Sequence, residues 1–196
     1  MRIVAGRHKG RHLAAPPAHD LSIRPTSDRL REALFNILSH WEGGDRVAQA
    51  RVLDLFAGTG ALGLEALSRG ARFCLFVEEA AGARALIREN IETLSATGVS
   101  RLFRRDATSL GPAGNLGQFS LAFLDPPYGK GLAERALVSA RDGGWLEEEA
   151  LIVVEEKAGS GFAAPPGFET MMQRSYGDSE VFFLRPGETG AAAGQG

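Results

Sequence analysis

The chain has 196 residues, 44% of them hydrophobic and 23% charged, with a net charge of −2 and one cysteine. That is the size and composition of a single soluble domain with a full apolar core. It excludes an internal disulfide framework and a membrane span: Cys74 is the only thiol, and no apolar run approaches the roughly 18 residues a span requires.

The small net charge hides an asymmetry. Residues 1–31 hold seven basic groups (Arg2, Arg7, Lys9, Arg11, Arg24, Arg29, Arg31) against Asp20 and Asp28, a local charge of +5 that leaves −7 for the remainder. A basic arm on an acidic body suits a polyanionic partner bound at one end, although a solvated basic surface has the same composition. The start, Met1 to Arg7, lacks the apolar core of a secretion signal, so the cytoplasm is the expected compartment.

In chain order, Ile3–Ala5 and His12–Ala14 flank Gly6-Arg7-His8-Lys9-Gly10 and predict a short N-terminal β-hairpin extension. Pro16-Pro17 marks a loop. Arg24-Pro25-Thr26-Ser27-Asp28 is a helix start, with Thr26 or Ser27 as cap and Asp28 in the first turn. Leu30, Ala33, Leu34, Ile37, Leu38 and Trp41 then share one helical face, and Gly43-Gly44 ends the helix. From Arg51 strands and helices alternate. Strands are expected at Val52–Leu55, Phe73–Val77, Leu102–Arg104, Leu121–Leu124 and Leu151–Glu155. Helices are expected at Ala61–Ser68, Ala80–Leu94, Leu132–Ala140 and near Thr108–Leu116. Short, continuously apolar strands alternating with helices predict an α/β fold with a parallel sheet covered on both faces. Phe168–Gln173 and Val181–Leu184, joined through Tyr176-Gly177-Asp178, predict a hairpin on the sheet edge. The small and polar residues from Pro186 onward are expected to be disordered. The expected organisation is a basic hairpin extension over 1–23, a catalytic domain over 24–185 and a tail over 186–196.

Two segments carry chemistry. Gly58-Thr59-Gly60-Ala61-Leu62-Gly63 satisfies G-x-G-x-x-G, with Glu78 18 residues after Gly60. A nicotinamide-binding domain shares that pattern. Two details favour S-adenosylmethionine instead. Asp54 stands before the turn, where a carboxylate suits a cationic methionine portion and opposes a pyrophosphate. Dehydrogenase chemistry also has no use for the second segment, Asp125-Pro126-Pro127-Tyr128. Glu78 and Glu79 both follow the second strand, and Glu78 is the better placed for ribose hydroxyls. Asp106 follows the third strand, suiting either an adenine amino group or a plain helix cap. Asp54, Glu78, Asp106 and Asp125 all fall at carboxyl ends of strands, where open α/β sheets bind ligands.

Asp-Pro-Pro-Tyr suits a flat, conjugated amine. The lone pair of such an amine is delocalised, so it is a poor nucleophile. Asp125 and a carbonyl of the proline segment can accept its two hydrogens, which favours pyramidal nitrogen and stabilises charge developing in the transition state. The prolines stiffen the loop, and Tyr128 offers a face to a base taken out of its stack. Cys74, inside a strand, reads as core rather than nucleophile. The histidines His8, His12, His19 and His40 have no metal-ligand spacing, so no metal is expected.

The chain resembles the bacterial small-subunit rRNA guanine-N2 methyltransferases, the RsmD type. The resemblance covers most of residues 1–185. It rests on Met1-Arg2-Ile3-Val4-Ala5-Gly6 with Gly10-Arg11, on Arg24 to Arg29, on Arg31-Glu32-Ala33-Leu34-Phe35-Asn36, on Leu53 through Ala71, on Asp125 to Tyr128 and on Tyr176-Gly177-Asp178. It implies a class I, Rossmann-like methyltransferase core of seven strands, mostly parallel, the last antiparallel. It implies S-adenosylmethionine as donor and a guanine of 16S rRNA in the small ribosomal subunit as target. It places cofactor contacts at Asp54, Phe56, Ala57, Gly58, Thr59, Gly60, Glu78, Glu79, Asp106 and Ala107, and catalysis at Asp125, Pro126, Pro127 and Tyr128. Arg7, Lys9, Arg11, Arg24 and Arg29 are the expected RNA contacts of a monomer. In one departure, Ala80 stands where relatives often carry a polar or acidic residue after the ribose acid. Other acceptors for the same chemistry are an adenine, a cytosine or a protein glutamine amide, and a non-catalytic RNA assembly factor is the alternative of another class.

Overall fold

The computed structural model describes residues 1–16, 27–128 and 130–187. Arg24, the Thr26 cap candidate and the tail beyond residue 187 lie outside the described residues. The elements are α1 (Asp28–Ser39), β1 (Arg51–Leu55), α2 (Ala61–Ser68), β2 (Phe73–Val77), α3 (Ala81–Thr93), β3 (Ser100–Phe103), β4 (Phe119–Leu124), α4 (Leu132–Asp142), β5 (Leu146–Lys157), β6 (Phe168–Tyr176) and β7 (Ser179–Pro186).

The seven strands form one sheet in the order β3-β2-β1-β4-β5-β7-β6. The first five are parallel, and β7 runs antiparallel to both β5 and β6. The alternating pattern implied the parallel sheet and its edge hairpin, which turns at Gly177-Asp178, and the family resemblance implied the class I arrangement of seven strands. Side chains of alternate strand positions feed two apolar layers. One joins Val52, Cys74, Phe76, Leu121, Phe123 and Val153 to α1, α2 and α3. The other joins Leu53, Leu55, Leu75, Leu124, Ile152 and Val154 to α4.

Four local expectations differ from the structure. Helix α1 ends at Ser39 with His40 as its C-cap, so Trp41 and Gly43-Gly44 lie beyond it. The helix expected near Thr108–Leu116 is two single 3₁₀ turns, Ala107–Ser109 and Gly114–Leu116. Pro112 removes an N–H donor between them, and Gly111 and Gly114 take φ of 65° and 55°. Strand β5 begins at Leu146, not Leu151, because Glu147-Glu148-Glu149 masks the apolar signal. A register shift between Phe119 and Leu121 accommodates this extra length. The third strand is Ser100–Phe103, ending one residue earlier than expected. At α1 the expected cap forms: Ser27 Oγ accepts from Leu30 N at 3.1 Å.

The N-terminal hairpin pairs through Arg2 and His12, with Ile3 N donating to Arg11 O and Gly10 N to Ile3 O, each at 2.9 Å. It does not project as a free arm. Ile3 and Leu13 enter the same core as α1 and α2. Glu65 of α2 is fully buried, yet its carboxylate accepts Val4 N at 2.8 Å, Ala5 N at 3.0 Å and Arg69 Nε at 2.7 Å. Those donors offset the cost of burying the charge. At the helix end, Ser68 O accepts Arg7 N at 2.8 Å and Ser68 Oγ accepts His8 N at 2.9 Å. Gly6 lies so close that a Cβ there would sit 2.0 Å from Ser68 O, at φ +80°. Arg31, fully buried, ties the other flank by donating to Asp28 Oδ1 and Arg2 O.

Candidate active site

Strand register assembles the site. Leu55 of β1 pairs with Leu124 of β4 and with Val77 of β2, and Val77 pairs with Phe103 of β3. The residues that follow these ends are therefore neighbours on one sheet edge: the glycine turn from Phe56, then Glu78, then Arg104 to Asp106, and Asp125 beside Phe56. The crossover order puts β1 and β4 at the point where the sheet changes direction of growth, which is where such sheets open a ligand crevice.

The turn is built for close backbone approach. Phe56, Gly58 and Gly60 all take positive φ, at 57°, 56° and 77°. Gly60 N donates to Ala57 O at 2.7 Å, closing the turn, and Gly60 is the N-cap of α2 without a side-chain cap. Phe56 is the one side-chain-bearing residue of the three, and it packs against the α4-side core, which offsets the cost of a left-handed conformation.

Each acidic candidate has a defined place. Glu78 is half-buried and grips the turn: Oε2 accepts Gly58 N at 2.9 Å and Oε1 accepts Ala80 N at 2.8 Å. Glu79 is exposed, and its carbonyl takes a bond from Arg84. Asp106 caps the following 3₁₀ turn, Oδ1 accepting Thr108 N and Thr108 Oγ1 at 2.8 Å each. Ala107 beside it is buried. Asp125 is half-buried, Pro126 buried, Pro127 exposed and Tyr128 half-buried.

Asp54 is set apart by its depth. It is 2% exposed and accepts Gly63 N of α2 at 3.0 Å. Burial pushes its carboxyl up to about 8, opposed by the Gly63 hydrogen bond and reinforced by the nearby Glu78 carboxylate. Its folded pKa thus lies above its unfolded value, so the stability it contributes is fully present below pH ~4 and is lost as pH rises through about 8. Asp54→Asn keeps an acceptor for Gly63 and cannot ionise. Its stability advantage over the parent protein is expected to grow from acid pH to pH ~8 in urea unfolding; a difference independent of pH would count against this burial cost.

Sequence reasoning missed several supporting residues. Asn90, fully buried, donates through Nδ2 to Thr59 O at 3.0 Å and accepts Ala14 N at 2.7 Å, so it ties the glycine turn to the hairpin base. Its signal was available: it is the polar residue on the buried stripe Ala83, Ile87, Asn90, Ile91 of α3. Ser179 and Glu155, both buried, stand beside Tyr128 across the β5–β7 pair. Arg7, Lys9, Arg11 and Arg29 are exposed. The first three sit at the hairpin tip, at the far end of α2 from the glycine turn, roughly 12 Å away for an eight-residue helix. Cys74 is buried in β2, its thiol pushed well up by burial and then by Asp54. Among the described residues no group of three or more His, Cys, Asp or Glu side chains is placed to hold a metal ion, and no helix is long and apolar enough to cross a membrane.

A protein family described as Conserved hypothetical protein 95 matches residues 1–185. The chain belongs to that family. Ribosomal RNA small subunit methyltransferase D of Escherichia coli (strain K12) is 40% identical over 167 residues, covering 85% of this chain and 79% of that protein. Its namesake from Haemophilus influenzae is 34% identical over 179 residues, covering 90% and 89%. The solved structure of yhhF from Escherichia coli superposes with a TM-score of 0.80 at 33% identity, covering 95% of this chain and 97% of that one. The fold and the family together make this protein a class I methyltransferase with S-adenosylmethionine as methyl donor. The donor set fits that cofactor. Two of the turn's three positive-φ positions are glycines, with no side chain to keep a ligand off the backbone, and each Glu78 oxygen takes one backbone N–H, leaving acceptor capacity for ribose hydroxyls.

Proposed function

We propose that the protein methylates the exocyclic N2 amine of a guanine in 16S rRNA of the small ribosomal subunit, acting as a cytoplasmic monomer. The observation that carries the chemistry is the β1–β4 register, which sets Asp125–Tyr128 directly beside the glycine turn. The acceptor class is supported by the names of the 34–40% identical relatives and by the exposed Arg7, Lys9, Arg11 and Arg29.

The bound cofactor supplies an electrophilic methyl group on a cationic sulfur. Glu78 holds the ribose end, Phe56 to Gly60 present backbone to the cofactor, and Asp106 with Ala107 border the adenine. Glu79, exposed and one residue on, is at most an outer contact. Asp54 acts from beneath, fixing the start of α2 through Gly63. Asp125 and a carbonyl of Pro126 or Pro127 accept the two amine hydrogens, so the nitrogen lone pair points at the methyl group. Tyr128 packs its ring on the extruded base. The prolines hold this geometry before substrate arrives, so little reorganisation is left for the transition state.

The hairpin tip sets the footprint. RNA that reaches both the sheet edge and the tip runs along the flank of α2. Reversing the charges of Arg7, Lys9 and Arg11 together is expected to weaken RNA binding and to flatten its log–log salt dependence by about one unit for each phosphate that is no longer neutralised. A filter-binding salt series reads this, and an unchanged slope would remove the tip from the interface. The reading as a whole is tested by incubating the protein with methyl-labelled S-adenosylmethionine and small subunits lacking the modification. Labelled N2-methylguanine supports it, whereas a labelled adenine, cytosine or glutamine keeps the chemistry and replaces the acceptor.

A further inference from the structure

The aromatic residue of the catalytic loop is tethered by the two strands that follow β4 in the sheet, β5 and β7. Tyr128 Oη lies 3.4 Å from Ser179 Oγ, and Ser179 Oγ donates to Glu155 Oε1 at 2.9 Å. Ser179 is 6% exposed and Glu155 9%. Ser179 is the first residue of β7, immediately after the Gly177-Asp178 turn, and Glu155 lies near the end of β5. The turn itself is fixed, since Ala158 N donates to Asp178 O at 2.8 Å and Lys157 pairs with Ser179.

The direction of the relay follows from the donor inventory. Ser179 gives its single proton to the Glu155 carboxylate, so toward Tyr128 it has lone pairs only, and the phenol is the donor. A hydroxyl already bonded to a carboxylate is a stronger acceptor, because bonds in such a chain polarise one another. The 3.4 Å spacing is long for O–H···O, which suits a contact that tightens when a base loads the ring, as catalytic hydrogen bonds often do.

We infer that Ser179 and Glu155 are positioning residues that pin the Tyr128 phenol, and so fix the angle at which its ring meets the target base. The inference rests on the proposed role of Tyr128 as the base platform. It makes the antiparallel edge hairpin part of the active site, although β6 and β7 contribute no residue to the cofactor crevice.

The test uses the full-length protein and the variants Ser179→Ala, Ser179→Thr, Glu155→Gln and Tyr128→Phe. Ser179→Ala is expected to lower kcat/KM for methyl transfer about five- to tenfold, the scale of one hydrogen bond, with the cofactor Kd unchanged and with recovery in Ser179→Thr. In a Tyr128→Phe background the same substitution is expected to cost nothing further, because the atom it acts through is gone. A loss of equal size in both backgrounds, or no loss in either, overturns the relay. A second readout is independent of the acceptor. The chain has two tyrosines, so ring-labelled tyrosine gives two NMR signals, which Tyr176→Phe assigns. Ser179→Ala and Glu155→Gln should shift the Tyr128 ring carbon bearing the hydroxyl, and an unmoved signal overturns the relay whatever the substrate. A moved signal in a protein that leaves small-subunit guanines unmethylated keeps the relay and discards the acceptor.

Discussion

Asp125→Ala is expected to lower kcat by about 10²- to 10³-fold while S-adenosylmethionine still binds. The separation of effects comes from the fold. Asp125 follows β4, whereas the cofactor turn follows β1, and Glu78, which grips that turn, follows β2. The two sets share a sheet edge but hang from different strands. A carboxylate that strengthens its hold on the amine only as positive charge develops on nitrogen works chiefly in the transition state, so its loss appears in kcat rather than KM. Asp125→Asn retains an acceptor oxygen but adds an N–H pair facing the amine, and is expected to fall close to the alanine variant. Calorimetry for the cofactor and single-turnover methyl transfer read the two quantities separately. Full turnover in the alanine variant would refute the mechanism, and lost cofactor binding would show that Asp125 belongs to the cofactor site.

Gly63→Ala is the second large effect, and it falls on the fold. A Cβ at Gly63 would stand 2.4 Å from Phe76 Cε1, 2.5 Å from Cys74 Sγ and 2.9 Å from Asp54 Oδ2. None of these atoms can retreat: Phe76 and Cys74 are fully buried and Asp54 is held by the Gly63 amide itself. Overpacking of this kind costs about 3 kcal/mol, or roughly 6–12 °C in Tm for a chain of this size. Gly82→Ala in α3 is the control, because a Cβ there meets nothing within 4 Å. It should leave stability unchanged or raise it by up to about 1 kcal/mol. Unchanged or raised stability in Gly63→Ala would show that the α2–β2 contact does not constrain this position.

What could be read from the sequence follows the range of the interactions involved. Alternating apolar strands and helices yielded the parallel sheet, because that pattern is local. Ser27 at the start of α1 was legible for the same reason, its cap bond spanning three residues. The extra length of β5 was hidden under three glutamates, since a strand emerging from the sheet tolerates charge that a buried one does not. The seating of the hairpin was beyond reach: Glu65 and Ser68 look like ordinary polar helix residues until the partners 60 or so positions away are known. At the site, the residues at strand ends were found because chemistry and topology pointed to the same positions. Ser179 was missed because it reaches the catalytic loop only through the antiparallel return of β7, and Glu155 because it reads as the last residue of an apolar strand until its pairing beside β4 is known.

The hairpin's seat also bears on the order in which the chain takes shape during synthesis. Its residues leave the ribosome well before α2, yet Val4 and Ala5 bond to a carboxylate 61 and 60 positions later. At about 5–20 residues per second, several seconds pass before Glu65 and Ser68 follow. Until then Ile3 and Leu13 have no core to enter, and the basic tip is an unstructured cationic segment beside the very class of polymer the finished enzyme is proposed to bind. Completion of α2 supplies the partners that seat the hairpin, so the cations reach a fixed array only after the helix that follows the cofactor turn has formed.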